Sequence, residues 1–153
     1  MAEWNPMVEE LVYEGRIKVP YTWSVGEYGS RFFHGLKEEK RIWGTTCPEC
    51  RKVFVPPKKG CPDCFVPIRE WVELAKTGRL LTYTVVHYSG AMHPVKTPFA
   101  YGVIQLDGAD TGLVHLVGEV DLDRIRVGMR MEAVFKEKGE GNLLDIRYFR
   151  PVQ

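Results

Sequence analysis

Apolar and polar residues follow two different periods along this chain, and the change falls near its middle. From Ser24 to Lys40, SVGEYGSRFFHGLKEEK, residues Tyr28, Phe32 and Leu36 recur every fourth position with Phe33 beside them. That spacing draws one apolar stripe on a helix. Ser24 is placed to cap its start, with Glu27 three residues on for a capping box. Lys37, Lys40 and Arg41 gather at its end, where cations suit the helix dipole. Gly29 and Gly35 reduce its regularity. A shorter helical stretch is read over Pro6 to Tyr13.

After Gly78 the period becomes that of strands. RLLTYTVVHY (79–88) is rich in β-branched and aromatic residues and is bounded by Gly78 and Ser89-Gly90. PFAYGVIQLD (98–107) and LVHLVGEV (113–120) follow, separated by the turn Gly108 to Gly112. DLDRI (121–125) is long enough for one helical turn only. GMRMEAVFKEK (128–138) and NLLDIRYFR (142–150) are joined at Gly139-Glu140-Gly141 as a hairpin. Met129, Met131, Ala133 and Phe135 alternate with mostly polar positions, as a half-buried strand requires. Five short strands, with a break for a helical turn between the third and fourth, predict a small closed barrel of OB type. The short turn at that break departs from the usual OB helix, and an SH3-like barrel or an open meander is the competing arrangement.

Between the helix and the strands lies TTCPECRKVFVPPKKGCPDC, which holds all four cysteines of the chain. Cys47-x2-Cys50 and Cys61-x2-Cys64 stand ten residues apart. Two such knuckles direct four thiolates at one tetrahedral metal, and zinc suits that set because it is redox-inert. Val53, Phe54 and Val55 form a β-prone arm of the intervening hairpin, turned by Pro56-Pro57 and Gly60. A redox pair would leave the second knuckle idle, and a catalytic zinc keeps an open position that four cysteines close. The cluster therefore reads as one structural Zn2+ per chain, with rubredoxin-like iron as the alternative. The whole chain is mainly β: an N-terminal helical segment (1–44), a zinc ribbon (45–70), with a linker-like stretch after Cys64 leading to Trp71, and an OB barrel (71–153).

Composition narrows the partners. The 21 basic and 20 acidic residues leave a net charge of +1, whereas nucleic-acid binders usually carry a basic excess. No apolar run approaches the roughly 18 residues of a membrane span, and the N-terminus MAEWNPMVEELVYEG lacks the form of a secretory signal. A cytoplasmic location is expected, where four cysteines are not structural disulfides.

The order of helix, ribbon and barrel resembles a known family. Carrying the match are Cys47-Pro48-Glu49-Cys50, Phe54-Val55-Pro56-Pro57, Cys61-Pro62-Asp63-Cys64, Trp71 with Gly78 before the first barrel strand, Pro98-Phe99, and Val127-Gly128-Met129. The chain is similar over about residues 25–150 to the zinc-ribbon/OB-fold proteins, formerly a domain of unknown function, that accompany acyl-CoA enzymes. The resemblance implies a non-catalytic companion of a thiolase-like subunit, or of a hydratase, acting on a CoA thioester. A thiolase needs a free cysteine nucleophile, and all four cysteines here are committed to the metal. No nucleophile elbow, phosphate-binding loop or His-Glu-x-x-His motif occurs.

On that implication Lys58, Lys59 and Lys96 become candidates for CoA phosphates, with Lys37, Lys40 and Arg41 a further cationic set. Tyr88 and Met92, in the loop bracketed by His87 and His93, become candidates for an acyl tunnel. Each has an ordinary reading as solvated surface. Tyr28, Phe32, Phe33 and Leu36 either pack on their own domain or form a surface for a partner subunit. His115, alone in a strand, reads as a satisfied or exposed residue. A single-stranded nucleic-acid binder is the alternative function, with Tyr83, Tyr88, Tyr101 and Tyr148 as stacking platforms.

Overall fold

The computed structural model describes residues 21–90 and 93–152. The helical expectation over Pro6 to Tyr13 and the tunnel expectation for Met92 lie outside them. The apolar stripe does form a helix, α1, Gly26–His34, which widens into a π-turn over Gly35–Glu39. Trp43 explains Gly35: a Cβ there would lie 2.4 Å from the indole Cδ1, so only glycine lets the ring pack this close. The helix starts one residue later than expected. Val25 is the cap, and Ser24 Oγ accepts from Gly26 N–H at 3.1 Å, so the Ser24–Glu27 capping box does not form.

Strands β1 (Ile42–Thr46), β2 (Val53–Phe54) and β3 (Glu70–Leu74) build a three-stranded sheet in the order β2-β1-β3. The stretch to Trp71 thus ends in a strand, its five residues paired with all of β1. Strands β4 (Thr77–Val86), β5 (Phe99–Leu106), β6 (Gly112–Val117), β7 (Arg130–Phe135) and β8 (Ile146–Pro151) close a barrel in the order β4-β5-β6-β8-β7. All pairs are antiparallel except β6 with β8. This is the OB arrangement, with only the 3-10 turn Leu122–Arg124 at the break between β6 and β7.

Gly78 sits inside β4 rather than before it. It is flanked by Leu106 on one side and Met131 on the other, and a Cβ would meet the Gln105 carbonyl at 2.3 Å. A barrel corner this tight excludes a side chain. The last strand also begins later than its apolar run. Asn142 caps a 3-10 turn over Leu143–Asp145, and buried Asp145 accepts from the N–H groups of Glu140, Gly141 and Asn142.

One continuous core joins all three parts. Phe32 and Leu36 of the helix, Ile42 and Leu74 of the three-stranded sheet, Val55 just past β2, and Leu80, Ile104, Met131, Ile146 and Phe149 of the barrel pack in a single buried cluster. Phe32 is 2% exposed and Leu36 1%. Phe32→Ala should therefore cost about 3–5 kcal/mol, read as a lower urea midpoint. A loss within about 0.5 kcal/mol, usual for surface sites, would show that the helix is not part of this core.

Candidate functional site

The two knuckles have the same local build. Cys47 O accepts from Arg51 N–H, and Cys47 N–H donates to Lys52 O; Cys61 O accepts from Phe65 N–H, and Cys61 N–H donates to Val66 O. Arg51 and Phe65, each following the second cysteine of its pair, adopt the left-handed conformation with φ of 60° and 58°. Each chain segment so turns back on itself, and the four ligand atoms come within 4.8 Å of one another. Cys47 and Cys61 are buried, Cys50 is exposed and Cys64 half-buried.

This crowding has an electrostatic consequence. Burial pushes the Cys47 thiol up, but donation from the backbone of Cys50 and Glu49, with the neighbouring thiols, brings it down to about 7. The hydrogen bond to Cys50, followed by burial, pushes Cys64 up to about 12. Four thiolates this close repel one another unless a cation sits among them. The donor set, count and convergence fit a tetrahedral metal centre with no vacant position.

The candidate cationic residues are dispersed. Lys58 and Lys59 lie exposed at the ribbon, Lys58 with its ammonium 5.4 Å from the centre of the Phe54 ring. Lys96 is exposed in the loop between β4 and β5, and no polar contact among the described residues links it to the ribbon lysines. The set at the helix end is largely neutralised: Lys37 pairs with Glu38 at 3.0 Å, and Arg41 with Glu39 and Glu73. The apolar helix face is turned inward. Phe32 and Leu36 are buried, Phe33 packs against the same core, and Tyr28 stacks on Trp71 while its hydroxyl donates to Ile68 O. Phe32 and Leu36 are therefore used within the chain's own core, while Tyr28 and Phe33 are half-buried.

His115 is buried, and both ring nitrogens are used. Nδ1 accepts from Leu116 N–H at 2.8 Å and Nε2 lies 3.1 Å from Leu143 O. Nδ1 is thus the acceptor and Nε2 the donor of a neutral ring. His93 stacks edge-on between Tyr88 and Phe99, and Tyr88 itself is 73% exposed. Asp110 and Thr111 were legible only as turn residues, yet they tie the ribbon to the barrel. Val53 N–H donates to Asp110 Oδ2, and Val55 N–H to Thr111 Oγ1, both at 2.8 Å. Nothing in the local sequence signals that long-range role.

Ribbon and barrel together define a zinc-ribbon/OB-fold protein. Residues 35–68 match the model for the ChsH2 rubredoxin-like zinc ribbon domain, and residues 71–136 that for the ChsH2 C-terminal OB-fold domain. The chain belongs to this ChsH2-type family. It is 27% identical over 128 residues to a DUF35 domain-containing scaffold protein of Methanocaldococcus jannaschii, covering 80% of this chain and 90% of that one. It is 28% identical over 99 residues to a probable enoyl-CoA hydratase alpha subunit of Thermomonospora curvata, covering 64% of this chain but 30% of that longer one. Among solved structures, an Ltp2-ChsH2(DUF35) aldolase superposes with a TM-score of 0.64 at 24% identity, over 85% of this chain and 98% of the other. A DUF35 protein of Sulfolobus solfataricus superposes at 0.58 with 25% identity, over 71% and 78%.

Burial holds the His115 imidazole below the ordinary histidine value. The unfolded chain then takes up this proton first, so the stability it protects is complete above about pH 6.5 and declines below it. Between pH 7 and 5 the unfolding free energy should fall, and His115→Gln should flatten the fall by one proton's share. Parallel acid limbs in both proteins would refute the assignment.

Proposed function

We propose that this chain is a non-catalytic subunit of a thiolase-type enzyme acting on acyl-CoA thioesters in the cytoplasm. The observation that carries the reading is the cysteine convergence. Every thiol of the chain belongs to one closed four-sulfur centre, so a thioester-forming nucleophile has to come from another chain. The relatives named as scaffold proteins and as a hydratase subunit support a helper's role. So does the pairing of Ltp2 with ChsH2 in the name of the structural relative. We assign the ribbon (45–70) to support and the barrel (71–153) to contact with the catalytic chain. Lys58, Lys59 and Lys96 remain our candidates for CoA phosphates, which surface ammonium groups attract as point charges.

Zinc is the proposed ion, since a closed four-thiolate site without redox work suits it. One zinc per chain is expected by elemental analysis. Cys47→Ala should lose both the zinc and the dispersed amide resonances of residues 45–70. Iron in the protein, or an ordered ribbon without metal, would overturn this assignment.

Co-expression with a thiolase-type subunit encoded nearby should yield one stable hetero-oligomer, with CoA-thioester turnover in the complex and none in this chain alone. Turnover by the isolated chain would defeat the proposal. So would tight single-strand binding that collapses with salt in the absence of any complex.

A further inference from the structure

Among the described residues, strand β6 is paired along its whole length on one edge only. Towards β5 it is in register at six positions, from Gln105↔Gly112 to Ala100↔Val117. Towards β8 it makes the single pair Val117↔Phe149, extended by Gly118 N–H donating to Phe149 O at 2.9 Å. The backbone before that point meets no strand of the described residues on this side. Leu116 N–H points to this open side, where the ring of His115 caps it. Alternate residues of an antiparallel ladder turn both backbone groups the same way, so Val114 presents its N–H and C=O to the open side as well.

The surroundings of that edge are apolar. A groove of about 370 Å³ runs along it, lined by Tyr101, Val114, His115, Leu116, Leu143 and Leu144. Val114 is 57% exposed and Leu144 39%. A second hollow of about 210 Å³ shares Tyr101 and Val114 and continues over Thr82, Thr84 and Val103. Among the described residues, no charged side chain lines either hollow. An exposed sheet face normally alternates polar residues outward, and an open edge is normally guarded by charge.

We infer that the β6 edge at Val114 and the adjoining groove receive an extended, uncharged, apolar segment of the catalytic partner, added to the barrel as a strand. This rests on the subunit role proposed above and names the place where the two chains join. A strand is the occupant that fits both halves of the site. Its backbone answers the N–H and C=O of Val114, and its alternate side chains enter the groove. An acyl chain alone leaves the backbone groups unanswered. A nucleic acid finds no cation among the lining residues, and a charged peptide finds no counter-ion.

The test uses the full chain with the co-purified thiolase-type subunit. Hydrogen exchange should slow at residues 112–116 and 143–144 in the complex relative to the free chain. Val114→Pro removes the donor at an edge position where proline is tolerated, and Leu144→Glu puts an unpaired carboxylate into the groove. Each should weaken the complex by about tenfold or more, with zinc content and thermal midpoint near those of the parent. Leu144→Glu lies outside β6 and keeps the test intact should Val114→Pro not fold. A complex of parental affinity in Leu144→Glu, with unchanged exchange at 112–116, overturns the inference while leaving the subunit role standing. Protection of 112–116 in a dimer of this chain alone also overturns it, in favour of self-pairing. Absence of any complex defeats the subunit role and this inference with it.

Discussion

Four hydrogen bonds between the ribbon and one barrel turn decide how this molecule is put together. Val53 exchanges bonds with Asp110, giving its N–H to the carboxylate and accepting Asp110 N–H at 2.9 Å. Val55 does the same with Thr111, whose hydroxyl accepts from Val55 N–H and donates to Val55 O at 3.0 Å. Strand β2 is two residues long and pairs with β1 on its other edge. It is held from both sides, by the sheet and by the turn between β5 and β6. At about 1 kcal/mol net per bond, the seam contributes as much as a large buried side chain. It also lies in the chain between the two knuckles, so the convergence of the sulfurs fixes the strand that the barrel grips. Val55, buried in the common core, extends the seam into the packing beneath. A metal bound outside the barrel therefore bears on the barrel's geometry through one short strand.

How much of this was legible in the sequence depends on how local each signal was. The cysteine spacing and the five alternating runs carried their meaning within a few residues, and the centre and the barrel follow from them. The ribbon strands β1 and β3 were not legible. Ile42–Thr46 and Glu70–Leu74 are short, lack flanking turn signals, and exist because they pair across more than twenty intervening residues. The apolar pair Leu143-Leu144 read as the start of a strand, but Asn142 and Asp145 satisfy the backbone locally and make a 3-10 turn instead. Gly78 read as a boundary because glycine usually marks one, whereas its cause is the Gln105 carbonyl on another strand. The aromatic helix stripe was legible as a face needing cover, with packing on its own domain one of two readings; which strands supply the cover was not legible. In the site, the four converging cysteines were legible and the seam residues Asp110 and Thr111 were not, for the same reason of range.

Charge is distributed unevenly around the barrel, and this bears on what kind of partner the barrel can meet. On the side of β7 and β8, Arg130 binds Asp107 through both carboxylate oxygens, and Arg150 bridges Glu119 and Glu132. Arg147 lies over the Tyr148 ring at 5.4 Å. These partly exposed pairs add little stability, but they keep that face hydrated and unattractive to other strands. On the side of β4, β5 and β6, the outward positions from Thr82 to Leu116 are threonine, valine, tyrosine, phenylalanine and leucine with Gln105, and the one charged strand residue is exposed Arg79 beside it. The two faces share one fold and one core, so folding alone does not account for the difference. A surface so poor in charge is a liability for a chain that stays alone and an asset for one that is covered. The lone OB-type binder of single strands would need several cations on this same face, and its described strands carry Arg79 alone, whereas Arg130, Arg147 and Arg150 lie on β7 and β8. The distribution thus favours a protein partner over a nucleic acid, independently of the cysteines and of the relatives.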